Sequence, residues 1–168
     1  MDAMITNKSL KTPVTSLILL LLLGGCDSIR TTIDKVRLKT IGITVTEPDT
    51  ETAEWVLMNA IEAARDKNEA AGWQKFQHML HSSERSVAAL RGWYTGAWPR
   101  MRKQIDHYDI NGDGSFKIVD VREMTRSAGG IAGYEYYIVS KKKEMPTPCA
   151  VYKDEENGEK WRIRRCSL

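Results

Sequence analysis

The chain lacks a strong charge of either sign. Lys and Arg number 25 against 22 Asp and Glu, a net +3 over 168 residues. So mild a basic excess is no footprint of a nucleic-acid binder, and nucleic acid is not expected as a partner. It also lacks a nucleophile motif and a phosphate-cradling glycine loop. No catalytic residue is therefore assigned, and the chain is not expected to be an enzyme. Cysteine is limited to Cys26, Cys149 and Cys166, and histidine to His78, His81 and His107. His78 and His81 stand three apart, close enough to share a helix face, but no cysteine or third ligand at suitable spacing completes a zinc site. After residue 23 no apolar stretch is long enough to cross a bilayer.

What is present begins with Lys8 and Lys11, followed by an apolar run from Leu17 to Leu23 and then Gly24, Gly25 and Cys26. A basic start, a short apolar stretch and small residues form a secretory signal rather than a structural element. The run is too short for a mature spanning helix, which needs about 20 apolar residues. Leu23-Gly24-Gly25-Cys26 resembles the lipobox of bacterial lipoproteins. The resemblance implies cleavage before Cys26, acylation (palmitate among the acyl groups) of its sulfur and of its new amine, and a membrane anchor facing the periplasm or exterior. Asp27 resembles the residue that retains such proteins in the inner membrane of enteric bacteria, which favours that membrane. Two or more acyl chains anchor firmly where one does not.

Three segments are expected: a signal peptide over 1–25, a lipidated Cys26 with a flexible tether over 26–48, and one domain over 49–168. Cleavage removes Lys8, Lys11 and Asp2 and leaves 143 residues, enough for one domain with a real core, at a net charge of +2. Residues 27–48 are rich in Thr and charge, with no helical period, and Pro48 ends them. Val36–Ile43 is an alternative short strand.

With Cys26 used by the anchor, Cys149 and Cys166 remain in an oxidising compartment, where a pair normally bridges. Asn157-Gly158 between them is a strong two-residue hairpin signal. A turn centred there pairs Asp154 with Trp161, Tyr152 with Ile163 and Cys149 with Cys166. The cysteines then lie opposite one another at bridging distance. The same register turns Ala150, Tyr152, Trp161 and Ile163 to the core and Val151, Lys153, Arg162 and Arg164 to solvent, with Glu155 facing Lys160.

Upstream, Asp49 or Thr50 is expected to cap a helix carrying Trp55, Met58 and Ile61 to about Lys67. Gly72 marks a break. Trp73, Phe76, Met79 and Leu80 form a second helix. Ser82 or Ser83 caps a third with Val87, Leu90, Trp93 and Tyr94, which Gly96 and Pro99 interrupt. Met101, Ile105 and Tyr108 continue the stripe. After Gly112 the texture becomes strand-like, with strands at 116–121 and 134–139 about a turn at Ala128-Gly129-Gly130. Helices first and strands second indicate an α+β fold, with N-terminal helices on an antiparallel sheet.

Gly72, Trp73, Phe76, Leu80, Trp161 and Ile163 carry a likeness to a known pattern: a "Gly-Trp-x-x-Phe-x-x-x-Leu" helix between two others, then a sheet ending in Trp-x-Ile. Over residues 50–168 the chain resembles the nuclear-transport-factor-2-like fold. That resemblance implies a curved sheet and a cone-shaped cavity, but no single activity.

The sharpest candidate site is the segment Asp109 to Asp120. It resembles a calcium loop of the EF-hand or dockerin type, with oxygen ligands from Asp109, Asn111, Asp113, the Ser115 carbonyl and Asp120 and a turn at Gly114. Against it stand Lys117 at loop position nine, an aspartate in place of the bidentate glutamate, and no second loop. The plainer reading is a helix-to-strand turn. Asp106, Asp120, Tyr134 and Tyr136 are available to an acid–base site in the cone. Trp55, Trp73, Phe76, Trp93, Tyr94, Trp98, Tyr134 and Tyr136 either line a ligand pocket or pack the core. Lys141–Lys143, Lys153, Arg162 and Arg164 suit an anionic lipid or wall polymer, or simply a lysine-guarded sheet edge. The expected role is a non-catalytic envelope module that binds a small apolar ligand or an envelope protein, without a cofactor. Calcium binding is the first alternative. A cone-site isomerase or dehydratase is the second.

Overall fold

Thr52 and Asn68 start the helical half of the molecule. The Thr52 hydroxyl accepts from the Trp55 amide and the Asn68 side chain from the Ala71 amide, each filling an orphan donor of a first helical turn. Helix α1 (Ala53–Arg65) and helix α2 (Glu69–His78) begin at these caps. The α1 cap thus lies at Thr52 rather than at Asp49 or Thr50. The computed structural model describes residues 42–126 and 129–168. The expected signal, the lipobox, Asp27, the tether as far as residue 41 and Ala128 lie outside the described residues.

Helix α1 is a core helix: Val56, Leu57, Ala60, Ile61, Ala63 and Ala64 are all buried. Gly72, expected to break the chain, sits inside α2. A Cβ there would lie 2.4 Å from the Ala63 carbonyl oxygen, so glycine is needed for the close approach of α2 to α1. Arg102 closes this same C-terminal end of α1, its Nη1 donating to the carbonyls of Ala64 (3.1 Å) and Asp66 (2.8 Å).

The third helical region also departs from expectation. Ser82–Glu84 is a single 3₁₀ turn capped by His81, and the helix proper starts after Ser86, whose hydroxyl accepts from the Ala89 amide. Helix α3 (Val87–Gly92) then runs without interruption through a π-turn (Trp93–Ala97) into helix α4 (Trp98–Gln104) and a last 3₁₀ turn (Ile105–His107). Pro99 lacks an N–H and crowds the carbonyl four residues back. A widened π-turn just before it keeps the helix continuous where a break was expected.

The strands are β1 (Ile43–Val45), β2 (Phe116–Thr125), β3 (Ile131–Ser140), β4 (Lys143–Asp154) and β5 (Lys160–Cys166). They form one antiparallel sheet in the order β1-β2-β3-β4-β5. Strand β1 falls within the segment that composition assigned to the tether: Ile43 pairs with Ile118 and Val45 with Phe116, so the ordered domain begins before residue 49. Phe116, Ile118, Tyr136, Ile138, Val151 and Ile163 from the sheet share a buried core with Leu57, Ile61, Phe76, Trp98, Met101 and Ile105 from the helices. The fold class is α+β.

The last hairpin corrects the expected register. Its loop is not a two-residue Asn-Gly turn. Glu155–Asn157 forms a 3₁₀ turn, and the left-handed residues are Gly158 (φ 68°) and Glu159 (φ 61°). Asp154 therefore pairs with Lys160, Lys153 with Trp161, Tyr152 with Arg162 and Val151 with Ile163. A one-residue slip exchanges faces. Val151, not Tyr152, shares the core with Ile163, and the ion pair expected between Glu155 and Lys160 has no such register. A bulge between Ala150 and Val151 then restores the pairing of Cys149 with Cys166, which form a disulfide with Cα atoms 4.0 Å apart. The outer edge of β5 is covered by the chain after α2: the Ile163 amide donates to the Met79 carbonyl (2.7 Å) and the His81 amide to the Ile163 carbonyl (2.8 Å).

Candidate functional site

That edge contact places α2 beside the final hairpin, and a cleft of about 610 Å³ opens there. Its lining comes from three places: Glu51, Trp55 and Val56 at the start of α1, Lys75, His78 and Met79 at the end of α2, and Lys153 with Gly158–Arg162 on the hairpin. A cleft of this size accommodates a small organic molecule. Trp55 and Trp161 supply two broad aromatic surfaces, both only partly buried against the core. Trp161 is held from behind by Tyr134, with ring centroids 5.3 Å apart. The Lys153 ammonium lies 5.5 Å from the centroid of the Trp161 ring, within cation–π range.

The charges of the lining are unequal. Lys75, Lys153, Lys160 and Arg162 line the cleft together with Glu51 and Glu159, but in the hairpin register only Lys153 shares the face of Trp161, and Lys160 and Arg162 lie on the opposite face. Lys75 is engaged with Asp66 at 2.8 Å, which draws the Asp66 carboxyl below its ordinary pKa and raises the lysine. Glu159 is engaged with Arg126 at 2.8 Å. Among the described residues Lys153, Lys160 and Arg162 enter no ion pair.

Arg162 is the most constrained of the three. Its Nη1 donates to the Trp161 carbonyl (2.9 Å), while its Nε is shielded from solvent and has no hydrogen-bond partner among the described residues. Burial lowers its pKa, and the neighbouring guanidinium of Arg85 lowers it further against the opposing pull of Asp154. Arg85 is itself occupied, donating to the carbonyls of Leu80 (2.8 Å) and His78 (2.6 Å). Two guanidinium groups thus stand near one another beside β5.

Backbone strain gathers at the same place. Among the described residues only two that are not glycine have positive φ: Glu51 (69°) and Glu159 (61°). Both line the cleft. Such conformations cost about 1 kcal/mol or more and persist where surrounding structure imposes them, often at functional sites.

The calcium candidates are arranged otherwise. Asp109 accepts from the amides of Gly112 (2.7 Å) and Gly114 (3.1 Å), Asp113 accepts from the Ser115 amide (2.9 Å), and Asn111 donates to the Ser115 hydroxyl. The Ser115 hydroxyl and amide hold the Asp113 carboxyl below its ordinary pKa. The Arg65 guanidinium stands 3.5 Å from the Asp109 carboxylate and donates to the Gly114 carbonyl. The chain leaves this loop as β2 and not as a helix. Asp120 is carried about 16 Å along the strand from Ser115 and pairs with Arg122. The five oxygen donors are therefore not brought together. Among the described residues no cluster of His, Cys, Asp and Glu forms a metal site. His78 lines the cleft at the end of α2, whereas His81 lies beyond it and caps the 3₁₀ turn, so the two do not share a helix face.

Of the acid–base candidates, Tyr134 and Tyr136 stand together, with ring centroids 5.9 Å apart, and the two acids lie elsewhere. Asp106 is solvent-exposed beside Arg65, and Asp120 pairs across the ladder with Tyr137. Tyr136 is buried and donates to Glu54 at 2.8 Å. Burial and that carboxylate push its pKa up, so it stays protonated. Of the aromatic set, Trp73, Phe76, Trp93 and Trp98 form a mutually packed group at centroid distances of 5.0–6.0 Å and belong to the core. Only Trp55 reaches the cleft. Comparison with family models, with curated proteins and with solved structures finds no match to this chain.

Sequence reasoning placed Trp161 on the core side, where it does pack against the core, but gave no sign that its outer part borders a cleft. Lys75 and Lys160 gave no signal, being single charges in polar segments.

Proposed function

We propose that this chain is a bacterial envelope lipoprotein of non-catalytic function, anchored through Cys26, whose domain binds a small molecule in the cleft between Trp55 and Trp161. The domain's nuclear-transport-factor-2-like character belongs to the same proposal. The observation that carries the binding role is the convergence on one cleft of two accessible indole faces, the Lys153 ammonium beside one of them, and the two left-handed non-glycine residues found among the described residues. Ordinary core packing calls for none of these.

Two measurements test it. Cys26→Ala should move the protein from the membrane fraction to the soluble one, and continued retention would sink the anchor. The binding role is tested by hydrogen exchange on the full chain in zwitterionic nanodiscs. Either 4-phenylbutanol or 4-phenylbutyrate should slow exchange in 53–58 and 158–163, and Trp161→Ala should abolish the effect. Unchanged exchange with both probes removes the cleft as a binding site.

A further inference from the structure

We infer that the tip of the β3–β4 hairpin, Lys141 to Met145, docks on an anionic lipid surface. The inference rests on the membrane anchor proposed above and adds how the domain meets that membrane.

The tip is basic and stiff. Lys141, Lys142 and Lys143 are exposed, and Glu144 is the one acid beside them in the hairpin. Asp106, on the 3₁₀ turn that holds the tip, stands 3.7 Å from Arg65. Among the described residues the three lysines enter no ion pair. The Lys141 amide donates to the His107 carbonyl (2.7 Å) and the Lys142 amide to the Ser140 hydroxyl (3.2 Å). The Lys143 ammonium donates to the Tyr108 hydroxyl (2.9 Å), which also bonds the Thr147 hydroxyl (2.9 Å). A tip already fixed in this way loses little freedom on docking.

Met145 is 79% exposed, two residues before the buried Thr147 on the same face of β4. A single apolar side chain beside three lysines is a poor centre for a protein interface, because such interfaces are depleted in lysine. It suits a bilayer surface, where ammonium groups meet lipid phosphates and an apolar side chain enters the headgroup layer.

The chain also enters the domain near this end of the sheet. Ile43, the first residue of β1, pairs with Ile118, and Ile118 pairs with Ile138. Ile138 lies two residues before Ser140, the partner of Lys143. The point of entry is thus displaced only about 7 Å along the strand direction from the base of the tip. Residues 27–41 can span at most about 50 Å, so an anchor at Cys26 keeps the tip concentrated at the bilayer.

The test uses the acylated chain, purified from membranes with isotope-labelled methionine methyls. It is placed in nanodiscs of phosphatidylcholine, alone or mixed equally with phosphatidylglycerol, that contain a gadolinium-bearing headgroup lipid. The Met145 methyl resonance, assigned with Met145→Leu, should broaden strongly in the anionic discs and little in the zwitterionic ones. Met124 lies about 20 Å along β2 from Ile118, at the far end of the sheet, and should stay sharp in both. Each lysine at an anionic surface is worth about fivefold in the ratio of docked to free domain, so Lys141→Gln/Lys142→Gln should lower that ratio about twenty-five-fold. Raised salt should act in the same direction. Equal broadening of Met145 in the two lipids, or broadening that survives both substitutions, overturns the inference and leaves the anchor standing. So does a Met145 resonance as sharp as that of Met124 in the anionic discs. A chain whose intact mass includes no acyl group overturns anchor and inference together.

Discussion

Trp98→Ala is expected to cost about 3–5 kcal/mol of folding stability. Trp98 is fully buried at the first turn of α4. Its ring packs on Phe76 (5.0 Å) and Trp73 (5.6 Å), and the Arg102 guanidinium lies 5.7 Å from its centroid. It also contacts the site where α2 approaches α1: a Cβ on Gly72 would lie 3.4 Å from Cζ2 of Trp98. Truncation leaves a large void at the junction of three helices, and close-packed helices collapse only partly into such a space. Domains of this size have about 5–15 kcal/mol in all, so roughly a fifth or more of the stability is at stake. Trp98→Phe makes the argument specific. The Trp98 Nε1 is buried without a hydrogen-bond partner among the described residues, so phenylalanine loses volume but sheds an unsatisfied donor. It should cost clearly less than alanine. Urea unfolding reads both, with the slope unchanged. A loss below about 1 kcal/mol for Trp98→Ala would show that this helical junction does not carry the core.

Removing the disulfide should cost about 3 kcal/mol. Cys149 and Cys166 close a loop with a sequence separation of 17, and their bond joins paired strands that stay hydrogen-bonded without it. The main effect therefore falls on the unfolded chain, which regains the freedom of an open loop. Cys149→Ala/Cys166→Ala is the cleaner variant, because Cys149 is fully buried and a serine hydroxyl there would add its own desolvation cost. The melting temperature should fall in oxidising buffer to that of the reduced parent, and dithiothreitol should then have no further effect on the variant. A parent protein whose melting temperature ignores dithiothreitol would show that the bond contributes nothing.

The parts of the fold legible in the sequence were those decided locally. Periodic apolar residues located α1, α2 and β3, and a short hydrophobic alternation found the core of β2. The cysteine pairing was also legible, although for a partly wrong reason. The expected two-residue turn and the observed five-residue loop give pairings offset by one residue, and the bulge at Ala150–Val151 compensates for that offset. Between turn and bulge the faces of β4 were read in reverse, while Trp161 and Ile163 of β5 keep the core side expected of them. Trp161 and Lys153 lie on one face in the folded hairpin, a relation set by the left-handed backbone at Gly158 and Glu159. Glu159 shows no preference for that conformation, so the sequence held no signal for it. Gly72 and Pro99 failed for another reason. Each normally breaks helices, but tertiary contact in one case and a π-turn in the other reversed the local preference. The loop at 109–114 does contain the turn that its glycines suggest. It leads into a strand, whose extended geometry carries Asp120 away from the other acids.

The disulfide has a consequence for how the cleft can change shape. Lys153 and Gly158–Arg162 lie inside the ring closed by Cys149 and Cys166. That wall is a covalent hoop whose base cannot splay. Any widening falls to the opposite wall, where Glu51 and the Lys75–His78 end of α2 are joined to the rest only by noncovalent packing. A molecule entering or leaving would therefore move the helical side, and exchange rates should track the local opening of α2 rather than the breathing of the sheet.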